Sequence, residues 1–306
     1  MRHLVALKYY SRCEIEALIK LAIKIKGNFE NYSEILKGKN VGLIFEKPSL
    51  RTKTAFYIGA LQLGAGAIYY SPLEIQLGKR EKVTDVSATL AEFLDAVVLR
   101  TFSHNNILEF ARSSKVPIIN ALSDFSHPSQ ALADIMTIYE NKGNLKKVKV
   151  TYLGDGNNVC NSLLYAFAIL GGRLTIACPD KYQPAQEVLD EVKMFSRISK
   201  ASIDIVSSAQ KAVADSDVIY TDVWTSMGKE SETKIRDEIF KPYQINDDLL
   251  KRAKNDCIVM HCLPAHRGRE ITDSVMDSKH SVVFQQAANR LHTAKAILAY
   301  LIAKAD

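Results

Sequence analysis

Short apolar runs alternate along the chain with longer segments whose apolar residues recur every three or four positions. Runs of about four to six residues are typical of buried strands, and the longer periodic segments are typical of amphipathic helices. The first helix is predicted over residues 13–26, where charged residues separate apolar ones at helical spacing. Repeated strand-and-helix alternation predicts an α/β fold, in which parallel sheets carry helices on both faces.

The alternation runs through the chain in two series. The first series predicts strands at 41–45, 67–70, 96–99 and 116–120, with helices at 54–64, 83–94 and 131–139 and a polar stretch at 71–85. The second predicts strands at 148–153, 173–178, 202–206, 218–221, 257–260 and 282–284, with helices at 159–170 and 287–304. We therefore predict two doubly wound parallel-sheet domains, residues 1–136 and 137–286, joined by helices that cross the boundary. A C-terminal helix at 287–306 is expected to pack back on the first domain.

Composition narrows the functional classes. Of 306 residues, 47% are apolar and 24% charged, and the net charge of +6 comes from scattered lysines and arginines. This balance weakly favours a small anionic substrate and gives no support to a nucleic-acid partner. No apolar run reaches the roughly 18 residues that a membrane span needs, and the first residues lack a signal-peptide core. Five cysteines without a CxxC pair are typical of reduced thiols, so we expect a cytoplasmic protein.

Residues 45–54 form a polar connection between the first strand and the next helix. A helix start has unpaired backbone N–H groups and a partial positive charge, so it is a ready site for an anion. The alternative is an ordinary N-cap with solvated lysines. The connection adds the charged residues Lys47, Arg51 and Lys53 and the hydroxyl residues Ser49, Thr52 and Thr54.

Other polar residues follow later strands of the first domain. Arg100 ends the third strand, and His127 and Gln130 flank a proline where a helix begins. Carboxyl ends of parallel strands meet at one edge of a sheet, so these side chains are candidates for polarising a carbonyl oxygen. A structural role for the lone His127 is the alternative.

The second domain offers three weaker patterns. Gly154-Asp155-Gly156 is half of a dinucleotide fingerprint, with Asp180 near the ribose-binding distance but Val159 where the third glycine belongs, which leaves a nucleotide-dependent oxidoreductase as an alternative. A metal site is not predicted from Cys257, His261, Cys262 and His266, because neighbouring side chains at a strand end point to opposite faces. Cys262 is a further candidate as a covalent nucleophile, although no histidine-carboxylate partner is evident.

The chain resembles the aspartate/ornithine transcarbamoylase family almost from end to end, and within it the ornithine branch. The motifs Ser-Met-Gly and His-Cys-Leu-Pro mark that branch, whereas the aspartate branch shares the first and third of the full set. That set is Phe-Glu-Lys-Pro-Ser-Leu-Arg-Thr (45–52), Gln-Leu-Gly (76–78), His-Pro-Ser-Gln (127–130), Gly-Asp-Gly-Asn-Asn (154–158), Asp-Val-Trp-Thr-Ser-Met-Gly (222–228), His-Cys-Leu-Pro-Ala-His-Arg-Gly (261–268) and Ala-Asn-Arg (288–290).

The resemblance implies a role for each matched residue in a carbamoyl transfer from carbamoyl phosphate to ornithine. Arg51, Arg100, His127 and Cys262 would be catalytic. Carbamoyl phosphate would contact Ser49, Leu50, Arg51, Thr52, Gln76, Arg100, His127, Gln130, Cys262, Leu263 and Arg290. Ornithine would contact Asn158, Asp222, Ser226 and Met227.

The resemblance also implies a homotrimer with active sites shared between subunits, and neither an organic cofactor nor a metal. The segment 72–82 would carry Gln76 to the neighbouring subunit. Three positions differ from the family pattern: Leu50 replaces a small hydroxyl residue, Lys53 an arginine, and Gln285-Gln286 stands where ornithine enzymes more often have acidic residues. Aspartate, putrescine and N-acetylornithine are the alternative acceptors.

Overall fold

A computed structural model describes residues 2–225 and 230–303, with only the backbone described for Glu230. The chain divides into two compact units. Unit 1 comprises residues 1–136 and 288–306, and unit 2 comprises residues 137–287. Both boundaries fall inside helices, at 128–142 and 283–302.

Unit 1 contains a four-stranded, all-parallel sheet with the order β2-β1-β3-β4. Its inner strands are buried, since β1 is buried from its second residue onward and β3 throughout. The elements are α1 (Arg12–Gly27), β1 (Asn40–Phe45), α2 (Leu50–Gln62), β2 (Gly66–Tyr70), α3 (Pro72–Ile75), α4 (Val83–Leu90), β3 (Ala96–Arg100), α5 (His104–Ser113), β4 (Ile118–Leu122) and α6 (Pro128–Lys142), which continues into unit 2.

Unit 2 contains a five-stranded, all-parallel sheet with the order β7-β6-β5-β8-β9. Helix α7 is buried from its second residue to its last, as expected of a helix covered by neighbouring elements. The elements are β5 (Lys149–Leu153), α7 (Asn158–Leu170), β6 (Arg173–Ala177), α8 (Gln186–Ser199), β7 (Ser202–Val206), α9 (Ala209–Val213), β8 (Val218–Thr221), α10 (Thr233–Phe240), α11 (Asp247–Leu250), β9 (Ile258–His261), α12 (Asp273–Met276) and α13 (Val283–Ile302), which continues into unit 1.

The predicted fold class of two parallel-sheet α/β domains is confirmed. None of the helices described within 2–225 and 230–303 combines the length and apolar character needed to cross a membrane.

One predicted strand is wrong, and several boundaries move. Residues 282–284 do not form a strand, because α13 begins at Val283 and Gln286 N–H already donates to the Val282 carbonyl. Val282 N–H donates to the Val259 carbonyl, so only an isolated bridge marks the edge of β9. Strand β4 lies two residues later than predicted, and helices α5 and α8 were not predicted at all.

The polar segments also contain more helix than predicted. Helix α2 starts at Leu50, four residues before the predicted start at Thr54. The stretch 71–85 includes the short helix α3 instead of being a continuous loop. Ser49 is therefore the N-cap of α2, and Leu50, Arg51 and Thr52 lie in its first turn, where unpaired backbone N–H groups are concentrated.

Candidate functional site

The first turn of α2 gathers hydroxyl and guanidinium groups in unit 1. Ser49 is the N-cap, and its hydroxyl accepts a hydrogen bond from Thr52 N–H at 3.3 Å. The buried Thr52 hydroxyl accepts from Arg290 Nη2, which α13 brings to this point. Leu50 is 76% exposed, so its side chain contributes no packing to this turn. The turn thus pairs a helix start with a cation from a distant helix.

Three positive charges act on one another around this turn. Arg100, buried at the end of β3, has its pKa lowered to about 10 by burial and by the charges of Arg290 and Arg51. Its Nε has no hydrogen-bond partner within the described part of the chain. Like charges repel more strongly in a buried setting, so the arrangement favours an anion among them. We call Arg51, Thr52, Arg100, His127 and Arg290 the cationic cluster.

His127 is buried beside these arginines. Burial lowers its pKa well below the ordinary value of 6.5, and the charges of Arg290 and Arg100 lower it further. Near pH 7 the imidazole is therefore neutral, with one nitrogen able to donate and one able to accept. Its Nδ1 lies 3.3 Å from Ser129 Oγ, and Gln130 Nε2 donates to Asp134 Oδ1 at 2.8 Å.

Gln76 and the two loop lysines have other surroundings. Gln76 is exposed, and its side chain donates to the Leu73 carbonyl at 3.3 Å. Lys47 Nζ lies 4.4 Å from the centroid of the Phe102 ring, and Lys53 Nζ lies 3.4 Å from that of Tyr69. These lysines therefore make cation–π contacts, which add to the positive field without forming the centre of the cluster.

Unit 2 gathers polar groups around the carboxylate of Asp222, which follows β8. Its Oδ2 accepts from Asn157 Nδ2 at 2.7 Å, and its Oδ1 accepts from Val223 N–H and from the Cys262 thiol, both at 2.8 Å. Asn158, half-buried, is the first residue of α7. We call Asn157, Asp222 and Cys262, together with Asn158 next to Asn157 in the chain, the carboxylate cluster. Ser226 and Met227, predicted to bind the acceptor, lie outside the described residues.

A buried ion pair next to Asp222 was missed by the sequence analysis. Arg236 on α10 donates from Nη1 to Asp155 Oδ2 at 2.7 Å and to the Trp224 carbonyl at 2.9 Å. Its Nε donates to Glu232 at 2.8 Å, and the guanidinium lies 4.7 Å from the Tyr182 ring centroid. Arg236 thereby connects the end of β5 to the segment that follows Asp222. Only the i, i+4 spacing of Glu232 and Arg236 was visible in the sequence.

The two alternatives for Cys262 have little support in this geometry. Ligand atoms of Asp222, His261 and Cys262 lie within 4.8 Å of one another, the spacing of a metal site. However, His261 Nδ1 accepts from Leu263 N–H at 2.9 Å, and Nε2 lies 3.1 Å from Glu270 Oε1. A metal would have to break one of these bonds. The Cys262 thiol donates to the Asp222 carboxylate at 2.8 Å, and this is not the cysteine–histidine pairing that activates a thiol as a nucleophile.

The dinucleotide alternative is disfavoured by the start of α7. A side chain at Gly156 would meet Pro184 N at 2.4 Å, so the chain's own segment occupies the space that a pyrophosphate would need. Asn157 Oδ1 also accepts from Val159 N–H and Cys160 N–H, both at 3.0 Å. The helix start is closed by protein groups.

The Gln285-Gln286 pair has structural partners. Gln286 Oε1 accepts from His261 N–H at 2.9 Å, while Gln285 Nε2 donates to Glu140 Oε2 at 2.8 Å. Gln285 Oε1 accepts from Asn141 Nδ2 at 3.1 Å. The glutamines connect α13 to β9 and to α6 within unit 2, so both side chains have structural partners.

Two family models together match most of the chain. Residues 2–140 match the aspartate/ornithine carbamoyltransferase carbamoyl-P binding domain, and residues 146–301 match the Asp/Orn binding domain of the same enzymes. The chain is 47% identical over 289 residues to a catabolic ornithine carbamoyltransferase of Thermoplasma volcanium, covering 94% of this chain and 95% of that protein.

Two comparisons with Pyrococcus furiosus agree with these matches. The chain is 45% identical over 303 residues to its anabolic ornithine carbamoyltransferase, covering 98% of this chain and 96% of that protein. A solved structure of ornithine carbamoyltransferase from this organism superimposes with a TM-score of 0.95 at 45% identity. That superposition covers 98% of this chain and 97% of the other.

Proposed function

Since the chain belongs to the aspartate/ornithine carbamoyltransferase family, we propose that it transfers the carbamoyl group of carbamoyl phosphate to the δ-amine of L-ornithine, giving L-citrulline and phosphate. The amine nitrogen bonds to the carbamoyl carbon, the bond from that carbon to the phosphate oxygen breaks, and the amine gives up a proton. The reaction serves arginine biosynthesis in this direction and a catabolic route in reverse.

The cationic cluster is the observation that carries this proposal. It concentrates three guanidinium groups and a helix start at one point of unit 1, and the charges of Arg290 and Arg51 lower the pKa of Arg100. A phosphate dianion offsets that repulsion and accepts the N–H groups of the helix start. Ser49, Leu50 through its backbone, Arg51, Thr52 and Arg290 are assigned to the phosphate.

The remaining residues of unit 1 are assigned to the carbamoyl group. Arg100 donates to the carbamoyl oxygen as negative charge develops there, and its buried Nε is available to do so. The neutral imidazole of His127 donates a hydrogen bond without adding a fourth positive charge, since burial and its arginine neighbours lower its pKa. Gln130 completes this set. Positioning and charge stabilisation then suffice, because phosphate is already a good leaving group.

The carboxylate cluster of unit 2 is assigned to the acceptor. Asp222 and Asn158 bind the α-amino and carboxylate ends of ornithine, together with Ser226 and Met227, and Cys262 and Leu263 lie with the reacting amine. The Asp222 carboxylate supplies the negative charge that a cationic amino acid needs. The δ-amine, like that of lysine, has a pKa of about 10.4 in water and must lose its proton before it attacks.

A homotrimer is part of the same proposal. Gln76 is exposed, and its side chain donates to the nearby Leu73 carbonyl, a position suited to reaching a neighbouring subunit. A closed ring satisfies a head-to-tail contact of this kind. Light scattering should give about three times the 34.1 kDa of one chain, and the mass of a single chain would contradict the trimer. The five free cysteines are in keeping with the predicted cytoplasmic location.

A steady-state assay with a panel of acceptors tests the function. We expect citrulline from ornithine, with kcat/KM lower on the order of 10⁴-fold for N-acetylornithine, putrescine and aspartate. A site built to hydrogen-bond a group strongly rejects analogues that lack it. Carbamoyl phosphate, unlike NAD, should raise the unfolding temperature. Preference for any of the other three acceptors, or stabilisation by NAD alone, would contradict the proposal.

A further inference from the structure

His261 makes three hydrogen bonds at the end of β9, where the segment carrying Cys262 begins. It is buried, with only 1% of its surface exposed. Its backbone N–H donates to Gln286 Oε1, and its Nδ1 accepts from Leu263 N–H at 2.9 Å. A backbone N–H can only donate, so Nδ1 carries no proton. The proton of the imidazole is therefore on Nε2, which lies 3.1 Å from Glu270 Oε1.

Glu270 holds this imidazole in place. Its side chain is 1% exposed, and Oε1 accepts from both His261 Nε2–H and His266 N–H. The buried carboxylate thus links the two ends of the segment from His261 to Glu270 and also bonds to His266 within it. No sequence motif singled out Glu270, because its partners are the side chain nine residues earlier and a backbone group.

Leu263, whose N–H donates to the His261 imidazole, has a strained backbone conformation. Leu263 has a φ of 59°, in the left-handed region that costs a non-glycine residue on the order of 1–2 kcal/mol. Such a conformation persists only where the surrounding structure fixes it, and it is often found at functional sites. The His261 imidazole accepts the hydrogen bond of this same residue, so it is placed to fix it.

Cys262, which lies between His261 and Leu263 in the chain, connects them to the carboxylate cluster. Cys262 donates from its thiol to Asp222 Oδ1 at 2.8 Å. Because Cys262 lies between His261 and Leu263, the backbone conformation of this segment sets where the thiol lies relative to Asp222. The orientation of Asp222 is therefore coupled, through Cys262, to the conformation that His261 holds at Leu263.

We propose that His261 and Glu270 are positioning residues of the acceptor site. Glu270 keeps the imidazole in its Nε2–H tautomer, the imidazole holds Leu263 in its left-handed conformation, and this places Cys262 against Asp222. The proposal rests on the proposed function for its effect on ornithine. The hydrogen-bond arrangement itself does not depend on which acceptor is used.

Two amide substitutions separate the two side-chain bonds of His261. Asparagine places its amide near the position of Nδ1 and keeps an acceptor for Leu263 N–H, whereas glutamine reaches the position of Nε2 and keeps a donor for Glu270. We expect His261→Gln to lower kcat/KM for ornithine on the order of 10²-fold, the effect of a misplacement of about 1 Å. His261→Asn should stay within about tenfold of the wild type on the same scale.

Measuring stability beside activity distinguishes a positioning role for His261 from a merely structural one. Each variant loses one buried hydrogen bond, so both should lower the unfolding temperature similarly while their activities differ. His280→Asn is the matched control, because His280 bonds the Cys257 carbonyl at the other end of β9 and should leave activity unchanged. Equal activity losses in His261→Asn and His261→Gln, or a larger loss in His261→Asn, would overturn the proposal.

Glu270 gives a second pair of variants should the histidine variants fold poorly. Glu270→Gln keeps Oε1 as the acceptor of both bonds and should rescue most of the activity that Glu270→Ala loses. Failure of that rescue in folded protein counts against the positioning role. The ¹⁵N spectrum of His261 should show the Nε2–H tautomer, and an Nδ1–H signal would overturn the proposal whichever acceptor the enzyme uses. A wild type that makes no citrulline yet shows the Nε2–H signal would contradict the proposed function alone.

Discussion

The same strand–turn–helix unit begins each sheet, as β1 into α2 in unit 1 and as β5 into α7 in unit 2. Both strands are internal in their sheets, and both helices start at a side-chain cap, Ser49 in one and Asn157 in the other. Elementary helix physics makes both starts suitable for an anion.

Their surroundings have opposite charge. The α2 start receives Arg290 on its first turn and has Arg100 nearby, whereas Asn157 at the α7 start donates to the Asp222 carboxylate. The protein's own segment near Pro184 also covers the turn before α7. Topology thus fixes where a site lies, and side chains delivered by other strands and helices decide the charge of its ligand.

Among the predicted changes, removal of Arg236 should have the largest effect, which is a loss of stability. Arg236→Met leaves the Asp155 carboxylate buried without its partner, which costs about 3–5 kcal/mol in the free energy of unfolding. Urea denaturation measures this loss. Arg267→Met is the control, because the partners of Arg267 are exposed, and solvent-exposed ion pairs contribute little to the free energy of unfolding. Similar losses in both variants would show that burial of the pair is unimportant.

Removing a cation from the cationic cluster of unit 1 should instead lower activity without lowering stability. Arg51→Ala should lower kcat/KM for carbamoyl phosphate by on the order of 10²–10³-fold, the effect of losing one transition-state donor. The unfolding temperature without ligand should not fall, because one of three mutually repelling charges is gone. Lys53→Ala removes the same charge from beside Tyr69 and serves as the control. Full activity in Arg51→Ala would refute the phosphate assignment.

The same variant tests the trimer. Mixed with Gln76→Ala under conditions of subunit exchange, Arg51→Ala should regain activity. A ring that mixes the two variants contains one subunit boundary at which an intact Arg51 on one side meets an intact Gln76 on the other. No recovery after confirmed exchange, with each variant severely impaired alone, would place Gln76 within its own subunit's site or outside any site.

The smallest expected effect is the contribution of His127 to the pH dependence of the free energy of unfolding. Burial and neighbouring arginines lower the pKa of His127 in the folded protein, so below pH 6.5 the unfolded chain binds a proton that the folded chain does not. The contribution of His127 to the free energy of unfolding is therefore complete above pH 6.5. It decreases as the pH falls below this value, by up to about 1.4 kcal/mol per pH unit. His127→Gln should show a shallower decline of unfolding free energy between pH 6.5 and 5. Parallel curves for the two proteins would rule out this contribution.

Much of the fold was predictable because buried strands are short apolar runs with sharp ends. Strands β1, β3, β7 and β8 begin within one residue of the predicted positions. The false strand at 282–284 was equally apolar, but three residues are too few to separate a strand from the first turn of a helix. Helix α8 escaped prediction because most of its surface is polar and only Val188 and Val192 are buried.

The site was less predictable from local pattern. Arg51, at a helix start, and Arg100, at a strand end, were candidates from their position in the pattern, whereas Asp222 was a candidate only through the family resemblance. Arg236 meets Asp155 across 81 positions, and nothing in either sequence neighbourhood announces the pair. Asn157 was likewise passed over in favour of Asn158, although its amide both caps α7 and binds Asp222.

The path of α13 has a consequence for how the protein is made. Arg290 reaches Thr52 from 238 positions further along the chain, after all of unit 2 has been synthesised. At about 5–20 residues per second, a ribosome needs on the order of ten seconds to add that intervening unit. During this interval the nascent first unit lacks one cation of its cluster. If the cationic cluster binds the phosphate donor as proposed, newly made chains acquire their full affinity for it only after the whole of unit 2 has been synthesised.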